Sequence, residues 1–238
     1  MTNTPRRVRL VAIPAALLLG IASLGCGVLD SVKSVVDAAN VLTDFSDRLD
    51  KAGKLTYTAE YKVTGTEGGL VTRVQQPPDS ALINGDKRMI FSGTHIINCE
   101  GNECQQVPFE AVAAGGPEDA QIVAGVAGPG FVTPEMAVGL LAAAALAPGT
   151  EVKTSNKKIA GQESLCATVT GIEDPDNGTA EAFSVCVTEA GVLASFTGTA
   201  GEGGESGIEL TSYSTKVDES AFSPPPGAKV VDVTDPQQ

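Results

Sequence analysis

The sequence predicts an α+β protein: a strongly curved antiparallel β-sheet with helices packed on its concave side. Three observations predict it. Two blocks of short segments, 55–107 and 151–217, carry apolar residues at alternate positions and read as two meanders. Between them, Met136 to Ala147 contains no polar side chain. Ahead of both, residues 28–49 place apolar side chains in steps of three or four. A sheet with one apolar face needs cover, and a helix apolar all round needs surroundings free of water. Helices lying in the hollow of a curved sheet satisfy both.

The chain opens with Arg6, Arg7 and Arg9, an apolar stretch from Leu10 to Leu24, then Gly25 and Cys26. That is the order of an export signal, so residues 1–25 are excluded from the fold. The apolar stretch is shorter than the roughly 20 residues needed to span a bilayer, and Pro14 interrupts it, which makes a transmembrane anchor the weaker reading. The end of the segment resembles a bacterial lipoprotein signal, in which a diacylglyceryl group is attached to the cysteine and cleavage makes that cysteine the new N-terminus. Ser23 stands at minus three, where that signal most often has Leu. The resemblance implies lipidation of Cys26 and a protein held on the outer face of the cytoplasmic membrane by its acyl chains. Cleavage nearby by an ordinary signal peptidase is the alternative.

Removing residues 1–25 leaves 213 residues with 13 basic against 29 acidic side chains, a net charge of −16. A surface of that sign repels nucleic acid and anionic headgroups, so nucleic acid is not an expected partner. Residues 26–53 read as tether and amphipathic helix, with Val28, Val32, Val35, Ala39, Leu42, Phe45 and Leu49 on one face. Packing against the domain is the expected role, since a self-associating coil needs more heptads.

Residues 54–233 form the domain and 234–238 a tail. In the first meander, strands and hairpins are expected over 55–65, 69–76, 80–93 and 94–107, with turns at Glu67–Gly69, Gln76–Asp79, Asn84–Asp86 and Gly101-Asn102. Residues 111–131 are rich in Ala, Gly and Pro, with room for one short helix from Pro117 to Val126. A helix is then bounded by Thr133 as N-cap, Pro134 at its first position and Pro148-Gly149 as its stop. The second meander is expected over 151–161, 164–172, 182–191, 192–200 and 208–217. "GEGGESG" reads as a loop, and Pro224, Pro225 and Pro226 exclude helix or central strand at the end.

With Cys26 assigned to lipid, four cysteines remain and can pair in three ways. Two local bridges are simplest: Cys99 with Cys104 across the "CEGNEC" hairpin, and Cys166 with Cys186. The alternative of a four-cysteine zinc site lacks the tight paired spacing of a zinc ribbon.

The helix leading into "TYTAEYKVTG", the pair "KKIAGQESLCATVTG", the hairpin "VCVTEAGVLASFTG" and the closing "SYSTKVDESAFSPPPGAKVV" resemble the LolA/LolB-like superfamily, which includes the mycobacterial LprG and LppX type lipid-carrier lipoproteins. Gly161, Gly191, Phe222 and Pro226 carry part of that resemblance. It implies a half-barrel of eleven or so strands closed by helices, with an apolar cavity for acyl chains.

His95 has no Ser, Cys or acidic neighbour in sequence and reads as a sheet residue. Asp174 and Asp176 in "EDPDNG" lack a full calcium ligand set and read as a turn, as does the sequon at Asn177. No catalytic motif, metal site or cofactor site assembles, so an enzyme is not expected. Two functions remain. In a tethered carrier, Met136, Val138, Leu140 and Leu141 face a lipid or other hydrophobic ligand. In a structural or sensing module, the same helix plugs the sheet and the surface meets another envelope protein.

Overall fold

The structure, a computed structural model, describes residues 40–49, 51–65, 69–108, 126, 131–147, 149–173, 180–199 and 205–233. The signal segment, Cys26, the helix expected at 117–126 apart from Val126, and the turn holding Asp174, Asp176 and Asn177 lie outside them.

Among the described residues twelve strands make one sheet. The first meander is β1 (Tyr57–Thr64), β2 (Leu70–Gln76), β3 (Asp79–Asn84), β4 (Lys87–Phe91), β5 (His95–Glu100) and β6 (Glu103–Pro108). The second is β7 (Glu151–Ile159), β8 (Gln162–Glu173), β9 (Ala180–Thr188), β10 (Leu193–Thr199) and β11 (Glu205–Ser214), and β12 (Lys229–Asp232) ends the chain. The order β12-β6-β5-β4-β3-β2-β1-β11-β10-β9-β8-β7 shows each meander pairing with itself and the two joining where β1 meets β11. The sheet is curved. β7 and β11 come within 8 Å between Cα atoms although β8, β9 and β10 lie between them. In a flat sheet four strand spacings would hold them roughly 19 Å apart.

One expectation is corrected: the sheet is mixed rather than purely antiparallel. β12 runs parallel to β6, with Val230 opposite Cys104. The proline run ends at Pro226, three residues short of β12, and β12 is an edge strand, so the rule against proline in a central strand is kept. The last strand of the second meander is also displaced: β11 covers 205–214 rather than 208–217, so the end of "GEGGESG" is strand and not loop.

Period-two alternation sets the inner face. In β1, Tyr57, Ala59, Tyr61 and Val63 are buried while Glu60, Lys62 and Thr64 are exposed. With Val71, Met89, Ile96, Val169, Val185, Val187, Ile208 and Leu210 from the other strands they form one core. A helix, α1, runs through residues 40–49 and 51–52, three residues past its expected end. Its predicted apolar face docks as expected over the described part: Phe45 is buried in the core, with Leu42 and Leu49 packed against it.

The second helix, α2 (Pro134–Leu146), starts as the sequence predicts, with the Thr133 hydroxyl accepting from the Met136 amide at 3.3 Å. It is not buried all round. Ala137, Leu141 and Ala144 lie in the core, while Gly139 and Ala143 are exposed and Leu140 is 42% exposed. The uniform apolar sequence gives no signal of which face turns inward, and the small alanine side chains make the exposed face inexpensive in apolar area.

The outer face has cover of its own. The 3-10 turn Glu219–Phe222 packs on β3 and β4, buries Ala221, and is tied by Arg88 Nη1 donating to the Ser220 and Ser223 carbonyls at 2.9 and 2.7 Å. Cys166 and Cys186 are bridged between paired positions of β8 and β9 and bury with Ala194. Cys99 and Cys104 are bridged across β5 and β6, whose turn is Gly101-Asn102.

Candidate functional site

A cavity of about 330 Å³ opens where the two helices meet the start of the sheet. α1 supplies Ser46, Leu49 and Ala52 at its C-terminal end with Gly53 just past it, α2 supplies Pro134 and Val138 at its N-terminal end, and Tyr57 of β1 with Arg73 and Gln75 of β2 makes the floor. The antiparallel register sets Tyr57 opposite Gln75 and Ala59 opposite Arg73. Paired residues share a face, and Tyr57 and Ala59 belong to the core, so Arg73 and Gln75 project inward.

Gln75 is 7% exposed and joins both sides of the cavity. Its Nε2 donates to the carbonyls of Ala52, the last residue of α1, at 2.6 Å and of Leu55 in the following turn at 3.1 Å. Its Oε1 accepts from Arg73 Nη2 at 3.2 Å. Burial pushes the Tyr61 phenol far above its ordinary range; nearby Tyr57 adds to the shift and Arg73 opposes it. The guanidinium thus acts on the interior of the domain.

Of the four residues expected to face a ligand, the structure brings one to the cavity. Val138 lines it. Leu141 is 1% exposed and belongs to the packed core, Met136 packs beside that core, and Leu140 faces outward. Among its described side chains α2 meets the cavity at Pro134 and Val138, in its first turn and the start of its second. Sequence reasoning does not single out Arg73 and Gln75, although "GLVTRVQQ" places both at the period-two spacing of Val71.

The His95 ring nitrogen Nδ1 lies 2.8 Å from Thr94 Oγ1 within its own turn. Among the described residues no group of three or more His, Cys, Asp or Glu side chains is placed to hold a metal ion. Among them also, no helix is long and apolar enough to cross a membrane.

No protein-family model matches this chain, and no curated protein does. Among solved structures it is similar to an uncharacterized conserved protein from Thermus thermophilus, with 12% identity, a TM-score of 0.48, and coverage of 80% of this chain and 98% of that one. It is also similar to LprF from Mycobacterium bovis, with 14% identity, a TM-score of 0.39, and coverage of 81% of this chain and 98% of that one. Likenesses at these scores carry no function across.

Proposed function

We propose that this chain is an exported, non-enzymatic lipoprotein, anchored through Cys26, that carries or binds a hydrophobic ligand between its two helices and the sheet, which is bent into a half-barrel. The observation that carries the reading is the cavity of about 330 Å³ walled by α1, β1, β2 and α2. Leu49, Ala52, Tyr57, Pro134 and Val138 give it an apolar lining into which a few polar groups project, the composition of small-ligand sites. Its volume is at the low end of the roughly 300–1,000 Å³ such sites occupy, which suits one acyl chain rather than several. Each methylene drawn from water contributes about 0.8 kcal/mol.

The second reading, a structural or sensing module that meets another envelope protein, draws on Leu141, Ala137 and Ala144, which fill the inner face with side chains beside the cavity. Native mass spectrometry of protein purified from its own membrane separates the two. The carrier reading expects a copurified hydrophobic ligand, and its loss in Val138→Trp with the sheet's circular dichroism retained. A chain that arrives without ligand, and a Val138→Trp variant that melts like the parent, leaves the module reading in its place.

A further inference from the structure

We propose that β7 is a self-association edge: two copies of this chain pair antiparallel through its free side, in the register centred on Thr154. The proposal stands apart from the carrier reading. Among the described residues β8 alone pairs with β7, so one side of a nine-residue strand is left open. Proteins blunt such an edge by keeping it short or by placing proline, bulges or lysine on it. The opposite edge, β12, is four residues long and follows a proline run. β7 is long, holds no proline or glycine, and keeps its register with β8 unbroken over nine pairs. What it does hold is Lys153, Lys157 and Lys158 together with Glu151. That pattern selects a register.

The backbone fixes which residues can reach a second copy. Ala160 and Gly161, with φ of +47° and +77°, form a two-residue turn whose flanks Ile159 and Gln162 pair with each other. That closing pair is hydrogen-bonded, and every second pair along the ladder repeats it, Ser155 with Cys166 included. Cys166 agrees from its other side: its Cα lies 4.0 Å from that of Cys186, the close spacing of a non-hydrogen-bonded pair, so its backbone groups turn to β7. Val152, Thr154, Asn156 and Lys158 therefore present N–H and C=O to the open side. The side chains from Lys153 to Lys158 are exposed, so the approach is clear.

An antiparallel partner must set outward residues opposite outward residues. Centred on Thr154, the pairing puts Val152 opposite Asn156 of the second copy, Thr154 opposite its own equivalent, and Glu151 opposite Lys157 twice. Centred on Ser155 it would oppose Lys153 to Lys157, and centred on Asn156 it would bring no unlike charges together. Unlike charges directly opposite stabilise a strand pair and like charges destabilise it. Within the chain Lys153 meets Glu151 at 3.1 Å and Lys158 meets Glu163 at 3.6 Å, while among the described residues no carboxylate holds Lys157. The Thr154 register is self-complementary and closes as a two-fold dimer. Paired residues share a face, so both concave sides look the same way. A contact of one strand a side is small, which makes the association weak and concentration-dependent.

The test oxidises the full-length chain in non-ionic detergent across a concentration series and counts disulfide-linked dimers on non-reducing gels, with the parent as the control for Cys26. Thr154→Cys should cross-link at least about fivefold more than Ser155→Cys: the facing Cα atoms of a hydrogen-bonded pair lie about 5.5 Å apart, within disulfide reach, and the two Ser155 positions lie beyond about 7 Å. Adding Lys157→Glu to Thr154→Cys should cut the dimer about tenfold, and adding Glu151→Lys as well should restore most of it. Melting curves establish that each variant is folded, and the charge swap decides by itself if a cysteine variant is not, with native mass spectrometry counting the dimer in place of the gel. A Thr154→Cys yield no higher than that of Ser155→Cys overturns the register and the self-pairing with it. So does a charge swap that restores nothing, or a Thr154→Cys chain that, oxidised in its own membrane, links to a different protein and forms no dimer.

Discussion

Replacing Gly191 by Ala should detach α1 from the sheet. Gly191 sits in the turn between β9 and β10 with φ of +98°, a conformation that L side chains rarely adopt. A Cβ there would overlap the carbonyl oxygen of Arg48 and lie 2.9 Å from its carbonyl carbon and 3.1 Å from the Ala52 amide nitrogen. All three are helix backbone, so no side-chain rotation relieves the overlap. The strained dihedral costs about 1–3 kcal/mol and the overpacking about 1–3 more, so about 4 kcal/mol is expected in all. At roughly 2–4 °C per kcal/mol for a domain of this size, that is a fall of about 8–16 °C in melting temperature. Gly161→Ala is the control: its φ is +77° and its Cβ would meet nothing within 4 Å, so only the dihedral cost applies. Thermal melts of both variants, with hydrogen exchange over residues 40–52, make the comparison. Equal melting temperatures for the two, with exchange protection of α1 unchanged, would refute the docking argument.

Three further outcomes are expected. Cys26→Ala should release the protein from the membrane fraction or leave it unprocessed; unchanged retention and mature mass count against lipidation. Removing the Cys166–Cys186 bridge by serine substitution should destabilise by about 3 kcal/mol and removing Cys99–Cys104 by about 2, because the first closes the longer loop, 20 residues against 5; denaturant titration of the two variants reads the order. Hydrogen bonds to the Asp218 carboxylate from the Ser220 side chain first and then from the Ser220 amide, at 3.0 Å, helped by the charge of Arg88, hold its pKa below the ordinary carboxylate value. Its contribution is therefore full above about pH 4 and lost as pH falls through the lowered folded value, so Asp218→Asn should flatten the pH dependence of the urea midpoint below about pH 4.

Much of the fold was legible because each legible element carries a local periodic signal. β1 alternates without a break from Tyr57 to Thr64, and α1 repeats its apolar face through Leu42, Phe45 and Leu49. The cysteine pairs were legible because each bridge spans neighbouring strands of one meander, so proximity in sequence and in space coincide. Gly191 was legible as a marker only. That it admits the backbone of α1 depends on a contact about 140 positions away, which no local pattern encodes. β12 was missed for a related reason: four residues after a proline run hold too little alternation to register, and their partner β6 lies far back in the chain.

The cavity shows where sequence reasoning fails by logic rather than by signal strength. The all-apolar run 136–147 drew attention as the ligand wall because apolar residues line apolar sites, yet Ala137, Leu141 and Ala144 fill the core, Gly139, Leu140 and Ala143 face outward, and among its described side chains Val138 alone reaches the cavity. The sharper clue was the opposite kind of residue. In β2 the buried set is Val71, Val74 and Gln75, which fits neither face of a simple alternation, because Val74 buries on the outer face while Val71 and Gln75 bury on the inner one. Only the register with β1, Tyr57 opposite Gln75 and Ala59 opposite Arg73, decides that the arginine points inward. A polar residue at an inward position is rarer than an apolar one and costs more to place there, so once the pairing is known it marks the cavity wall more sharply than twelve consecutive apolar residues do.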